Sequence, residues 1–303
     1  MQISTSQLYD RSTRTMQQLS AQADKLMTQI STTKRIDKAS DDVVAFQKLS
    51  RIKQASADTV ADTANIKVAQ SILTQSDSTL GSMESQLQRA AELAVQANSD
   101  TLSPENRAII GQQLTAIVQD LAALANTKDV RGQPLFGAAS GDRAVAQASD
   151  GSVSFVGSGE ASPIPVGGGI TVQATDSAAR IFGGIATASG TSDIFAIVSK
   201  LANALTANDN PGAAASEAGN SLKAALTQIG SARGSVGARG ARLDLETARL
   251  TDVAATREAD RSSLEDTDTS AAIAELQKTM TILSATQASF TKLSSLSLFN
   301  YLS

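Results

Sequence analysis

The chain has no histidine, no cysteine and no tryptophan among its 303 residues, and each absence removes a branch of chemistry. Without histidine there is no side chain that ordinarily titrates near neutrality, and the commonest transition-metal ligand is missing. Without cysteine, zinc clusters, iron–sulfur ligation and thiolate nucleophiles are excluded. Aromatic residues make up only 3% of the chain, so a pocket walled by aromatic rings is not expected. A carboxylate-only cation site or a two-carboxylate hydrolase passes this filter. Asp41 and Asp42 are the adjacent pair, yet neighbours on a helix diverge rather than converge on one substrate. No catalytic residue, no cofactor and no metal site is therefore expected.

Charge is also sparse. A net charge of −4 opposes nucleic-acid binding, which needs a concentrated basic face. Two small clusters, Lys34, Arg35 and Lys38, and Glu265, Asp266 and Asp268, read as solvated helix ends. The opening residues Met1 to Gln7 are polar, which argues against a secretory leader, and no apolar run of 18 residues argues for membrane insertion.

What the sequence does contain is helical periodicity built from small residues. Met16, Leu19, Ala23, Leu26 and Ile30 step by three and four, as do Ile273, Leu276, Met280, Leu283, Gln287 and Phe290. Each set is a narrow apolar seam that another helix must cover, so the two ends are expected to pack together or against copies of themselves. The first helix is predicted over about residues 5 to 33. Ser40, Asp41 or Asp42 then caps a second helix over 43 to 98, which has no proline and only Gly81 as glycine. Its stripe runs from Ile66 through Leu73, Leu80 and Leu87 to Ala94, and the rod is about 80 Å long at the helical rise. Thr101 or Ser103, followed by Pro104 and Glu105, starts a third helix with Ile110, Leu114, Ile117, Leu121 and Leu124 on one face. This helix is expected to fold back on the long one. The segment Val130 to Gly137 reads as a turn over an apolar plug, Leu135 and Phe136.

Residues 138 to 190 lose the helical period. Val153, Phe155, Ile164, Val166, Ile170, Val172, Ile181 and Phe182 fall in short runs between glycines and prolines, as short strands do. A helix carrying Ile194, Val198, Leu201 and Leu205 closes the insert before Asn210-Pro211-Gly212. From about 213 a second long seam, Leu222, Leu226, Ile229, Val236, Leu243, Leu250 and Val253, contains Gly230, Gly234, Gly237 and Gly240, which weaken local helix preference and permit a bend or a close neighbour. The expected fold class is mainly α: long antiparallel helical rods formed by both chain ends, with a small β-rich (α+β) domain inserted centrally. The expected segments are 1–42 (terminal, pairing with 264–303), 43–137 (rod), 138–212 (outward insert), 213–263 (rod) and 264–303 (terminal).

Several motifs then occur in order: Ser31-Thr32-Thr33-Lys34-Arg35-Ile36, Ala39-Ser40-Asp41-Asp42-Val43, Glu92-Leu93-Ala94-Val95-Gln96-Ala97-Asn98, Thr101-Leu102-Ser103, Asn106-Arg107, Leu124-Ala125-Asn126-Thr127, Leu135-Phe136 and Val236-Gly237-Ala238-Arg239. On these the chain resembles the bacterial flagellin family over residues 1 to 137 and 213 to 303. Thr33 stands where the family usually has glycine, and Val43 where it has proline. The ending Leu296 to Leu302 resembles members that form the hook–filament junction more than those that form the filament.

The resemblance implies a secreted structural subunit, not an enzyme, that reaches the flagellum through the type III export channel and sits in the adapter ring at the junction. Implied partners are hook-associated protein 1, flagellin, copies of itself and, before secretion, a flagellar export chaperone. Leu19, Leu26, Ile30, Ile273, Leu276, Leu283 and Phe290 are the expected assembly residues of the inner layer, and Leu298, Phe299, Tyr301 and Leu302 the expected C-terminal assembly or chaperone contact. A filament-forming flagellin is the alternative. A surface ligand-binding or glycan-binding module ranks below it, because tryptophan and histidine are not there to stack on a sugar.

Overall fold

A computed structural model describes residues 2–302, apart from the side chains of residues 2–6, 8, 293 and 295–302. The chain divides into two compact units, Met1–Ala57 with Asp252–Ser303, and Asp58–Thr251. Four long helices dominate: α1 (Gln2–Thr32), α2 (Val43–Ala97), α6 (Pro211–Glu265) and α7 (Thr269–Leu302). Helix α2 starts as its sequence suggests, with Asp42 Oδ1 accepting from the Ala45 amide at 3.0 Å. That bond satisfies one of the amides every helix leaves free at its N-terminus.

In the Asp58–Thr251 unit, every residue of the expected α2 stripe is buried, from Ile66 to Ala94. Helix α3 (Pro104–Ala125) begins with Ser103 as its N-cap and Pro104 in its first turn. It contributes Ile110, Leu114, Ile117 and Leu121 to the same core, while Leu124 is only half-buried. Its closest backbone neighbour, however, is α5 (Ile194–Ala207) rather than α2. The cause is Gly111: a Cβ there would lie 2.8 Å from the Ala202 carbonyl oxygen, so only glycine lets the two backbones come this near. Pro104–Ala125 is also long and apolar enough by composition to cross a membrane, an exception to the sequence expectation, but its apolar face is filled by this core.

The central insert holds three separate antiparallel hairpins, β1 (Val145–Gln147) with β2 (Val153–Phe155), β3 (Ile164–Gly167) with β4 (Ile170–Val172), and β5 (Ile185–Thr187) with β6 (Gly190–Ser192). Ile181 and Phe182, expected in a strand, instead end a short helix, α4 (Ala178–Phe182). Tertiary packing decides their state, because Phe182 stands edge-on to Phe136 at 5.3 Å and to Phe195 at 6.1 Å, and all three are fully buried. The insert is fastened to the end of α3 by Asn126, whose side-chain oxygen accepts from the Ala144 and Val145 amides and whose amide donates to the Val145 carbonyl, all at 3.0 Å. The predicted turn is held by Asp129, a buried carboxylate that accepts from the Arg131 and Gln133 amides and from the Arg131 guanidinium.

Helix α6 runs unbroken through Gly230, Gly234, Gly237 and Gly240. A Cβ at Gly230, Gly234, Gly237 or Gly240 would meet nothing within 4 Å beyond its own helix, so a close intrachain neighbour does not explain them. The expected α6 seam is otherwise met: Leu222, Ile229, Val236, Leu243 and Leu250 are buried, and Leu226 and Val253 are half-buried.

Candidate functional site

The terminal helices supply the site that the sequence points to. Helices α1 and α7 pack antiparallel, with the rings of Tyr9 and Phe290 edge-on at 5.2 Å towards one end and a β-bridge between Lys34 and Asp266 just past the other. On α1 the seam of covered positions is Tyr9, Ser12, Met16, Leu19, Ala23, Leu26 and Ile30, with Gln29 half-buried beside the last. The seam alternates in steps of three and four throughout, the spacing of a two-helix contact.

On α7 the seam is shifted. Its covered positions are Ala272, Leu276, Thr279, Leu283, Thr286 and Phe290, with Glu275 half-buried at its edge. Leu276, Leu283 and Phe290 lie where the sequence placed them, but the intervening layers are filled by Ala272, Thr279 and Thr286 rather than by Ile273, Met280 and Gln287. The smaller set lets α1 come close, and the bulkier Ile273 and Met280 are left 44% and 42% exposed beside Ile282 at 44%. The helix therefore turns one apolar stripe to α1 and leaves Ile273 and Met280 exposed on one flank of it and Ile282 on the other.

Of the expected assembly residues, Leu19, Leu26, Ile30, Leu276, Leu283 and Phe290 are half-buried and Ile273 is exposed. Among the described residues of this pair, only Ala23, Ala272 and Thr279 are buried. The side chains of Leu298, Phe299, Tyr301 and Leu302 lie outside the described residues.

The two charge clusters read as solvated helix ends meet each other instead. Glu265, 1% exposed, takes Lys34 at 2.9 Å, Lys53 at 3.1 Å and Arg261 at 2.6 Å. Around it the Arg35 amide donates to the Glu265 carbonyl at 2.7 Å, the Arg35 guanidinium to the Leu264 carbonyl at 3.0 Å, and the Thr267 amide to the Thr33 carbonyl at 3.0 Å. Burial pushes the Glu265 carboxyl up, but hydrogen bonds from Lys34, Arg261 and Lys53 outweigh it and hold the group at about 2. A buried carboxylate of this kind is tolerable only because cations surround it. Opposite charge in two clusters at opposite ends of the sequence was the available signal for this joint.

Asp41 and Asp42 do not form an acid–base pair. The Lys25 ammonium at 3.0 Å, then the Lys38 and Asp37 amides, hold the Asp41 carboxyl at about 2, while Asp42 caps α2. Thr33 has φ +57°, the left-handed conformation that glycine adopts without strain. Among the described residues no group of three or more acidic, histidine or cysteine side chains is placed to hold a metal ion. The chemistry of the site is packing of modest apolar strips around a charged joint.

Comparison with known proteins agrees with that character. Residues 3–151 match the bacterial flagellin N-terminal helical region and residues 220–302 match the bacterial flagellin C-terminal helical region. Flagellar hook-associated protein 3 of Escherichia coli is 26% identical over 99% of both chains. A flagellin of Listeria innocua is 24% identical over 81% of this chain and 79% of its own. Among solved structures, flagellar hook-associated protein 3 of Legionella pneumophila superposes with a TM-score of 0.65 at 16% identity, covering 71% of this chain and 98% of that one. FlgL of Xanthomonas campestris gives 0.63 at 19% identity, covering 70% and 99%. With both helical regions matched in order on either side of the insert, the chain belongs to the bacterial flagellin family.

Proposed function

We propose that this chain is the subunit of the adapter ring between hook and filament. The observation that carries this reading is the end-to-end alignment with hook-associated protein 3 of Escherichia coli, which covers 99% of either chain. The match to a flagellin covers 81% of this chain. As a member of its family the chain is a structural subunit of the extracellular flagellum rather than an enzyme, and its partners are other flagellar components.

The finer reading follows from the terminal pair. The segments 1–42 and 264–303 line the inner layer of the tube, 43–137 and 213–263 form the rods, and 138–212 faces outward. Leu19, Leu26, Ile30, Leu276, Leu283 and Phe290 hold α1 and α7 together while their uncovered halves, with Ile273, meet neighbouring subunits. Hook-associated protein 1 lies on one side and flagellin on the other, in unlike contacts that continue a tube instead of closing a dimer. Leu298, Phe299, Tyr301 and Leu302 engage the export chaperone before secretion.

Labelling the protein on intact flagella tests the assignment. A junction subunit marks a collar at the hook–filament boundary, and its deletion leaves hooks that shed flagellin into the medium. Label along the whole filament would instead identify a filament flagellin.

A further inference from the structure

The composition of the chain concentrates oxidation chemistry on its methionines. With no cysteine there is no thiol to be oxidised first. With no histidine or tryptophan, two tyrosines are the only electron-rich rings that compete. A two-electron oxidant such as a peroxide therefore meets five thioethers. Met83 is sealed in the rod core at 0% exposure, Met16 is half-buried in the α1 seam, and Met1 lies outside the described residues. Met27 and Met280 stand apart from these, 47% and 42% exposed.

Those two residues share one edge of the terminal helix pair. Met27 follows Ala23 by four residues and Leu26 by one, and Met280 stands in the same relation to Leu276 and Thr279 of the α7 seam. Ile273, 44% exposed, repeats the offset after Ala272. In an antiparallel pair, positions that follow the seam in this way line the same edge of both helices. The other such positions, Thr13, Ser20 and Gln287, carry no charge. The edge is thus an uncharged surface whose apolar part is one isoleucine and two thioethers. None of the three belongs to the packed seam, so the fold of the pair does not require them to stay apolar.

We propose that Met27 and Met280 are paired sulfoxidation sites, through which a peroxide blocks assembly of the free subunit without unfolding it. In each, a lone pair of the thioether sulfur attacks one peroxide oxygen. The O–O bond breaks, an S–O bond forms, and the departing hydroxide takes the proton of the new S–OH group to become water. Sulfur is oxidised by two electrons and the peroxide is reduced by two. The sulfoxide is polar, and burying it against an apolar neighbour without a donor is unfavourable. Methionine sulfoxide reductases reverse the step. The effect on assembly rests on the reading that the open edge of the terminal pair meets neighbouring subunits, whereas the assignment of the two sites does not.

Hydrogen peroxide treatment of the full chain, followed by peptide mass spectrometry, tests the sites. Met27 and Met280 are expected to gain oxygen at least about tenfold faster than Met83, with the helical circular dichroism unchanged. Labelled chain added to hooks from the deletion strain tests the effect on assembly. Oxidised chain is expected to bind at least about fivefold less, and methionine sulfoxide reductases A and B with dithiothreitol to restore binding. The double variant Met27→Leu with Met280→Leu keeps volume and apolar character, so it should bind equally with and without peroxide. Oxidation of Met83 at the same rate, loss of helicity on two-site oxidation, or equal binding by the oxidised chain overturns the proposal. So does peroxide sensitivity that persists in the double variant. Untreated chain that fails to bind hooks overturns the assembly reading and the effect with it, while the oxidation pattern, measured without any partner, still decides the sites.

Discussion

The two compact units solve the burial problem differently. In the Asp58–Thr251 unit, Phe136, Phe182 and Phe195 interlock and the α2 stripe is covered along its length, so that unit completes its own core. In the terminal unit the seam layers are alanine, threonine and half-covered leucine, and isoleucine and methionine remain on the outside. Burying a whole leucine or phenylalanine contributes about 1.5–3 kcal/mol, and a half-covered one correspondingly less. The difference is that the terminal pair leaves its seam half covered within the chain, as the proposed contacts with neighbouring subunits require, whereas the Asp58–Thr251 unit holds a closed core of its own.

The sharpest way to break that comparison is to empty the closed core. Phe182→Ala should destabilise the Asp58–Thr251 unit by about 3–5 kcal/mol, read as a large drop in the melting temperature followed by circular dichroism. If the chain tolerated this change as readily as one in the terminal pair, the contrast would collapse. Next is the charged joint. Glu265→Gln leaves three cations facing an amide and should cost about 2–3 kcal/mol, read as lowered denaturant midpoint for the terminal helices.

The same residue gives a pH dependence whose sign is fixed. The folded carboxyl, at about 2, lies below its ordinary 4.5, so its stabilisation is complete above pH 4.5 and is lost as pH falls towards 2. Acid titration of the unaltered chain should show this loss in the terminal helices, and Glu265→Gln should flatten it.

Phe290→Ala probes the open seam. Because Phe290 is half-buried, the isolated chain should lose only about 1–1.5 kcal/mol, well under the cost of emptying a closed core site. Incorporation into flagella, scored by labelling, should fall much further. Equal losses in the two assays would mean that the seam serves only the chain's own fold. The smallest effect is expected at Thr33, where glycine removes the strain of a β-branched residue at positive φ. Thr33→Gly should stabilise the joint by about 0.5–1 kcal/mol, with part of the gain offset by the greater freedom of glycine in the unfolded chain. A denaturant titration of the terminal helices reads it.

Much of this architecture was legible in the sequence for a simple reason: long helices are specified locally. A proline-free rod, a serine–proline start at Ser103 and Pro104, and a stripe from Ile66 to Ala94 each depend on neighbours within a few turns. What escaped depends on partners far along the chain. Ile181 and Phe182 are helical because two other phenylalanines receive them, and an apolar run cannot declare its own state. The α7 seam was misplaced by one residue in alternate layers because hydrophobicity favours Ile273 and Met280, whereas close helix approach favours Ala272 and Thr279. The Glu265 joint was divided between two clusters at opposite ends of the sequence, and each alone resembles an ordinary solvated helix end.

That joint also acts as a test of completeness. Its carboxylate arrives only at residue 265, whereas Lys34 and Lys53 are already present near the start of the chain. A product cut short before α6 ends keeps the cations and lacks the group that reconciles them, so like charges repel where the intact chain is clasped. A chain that stops before the end of α6 therefore cannot close this joint, and it also lacks the helix that covers α1.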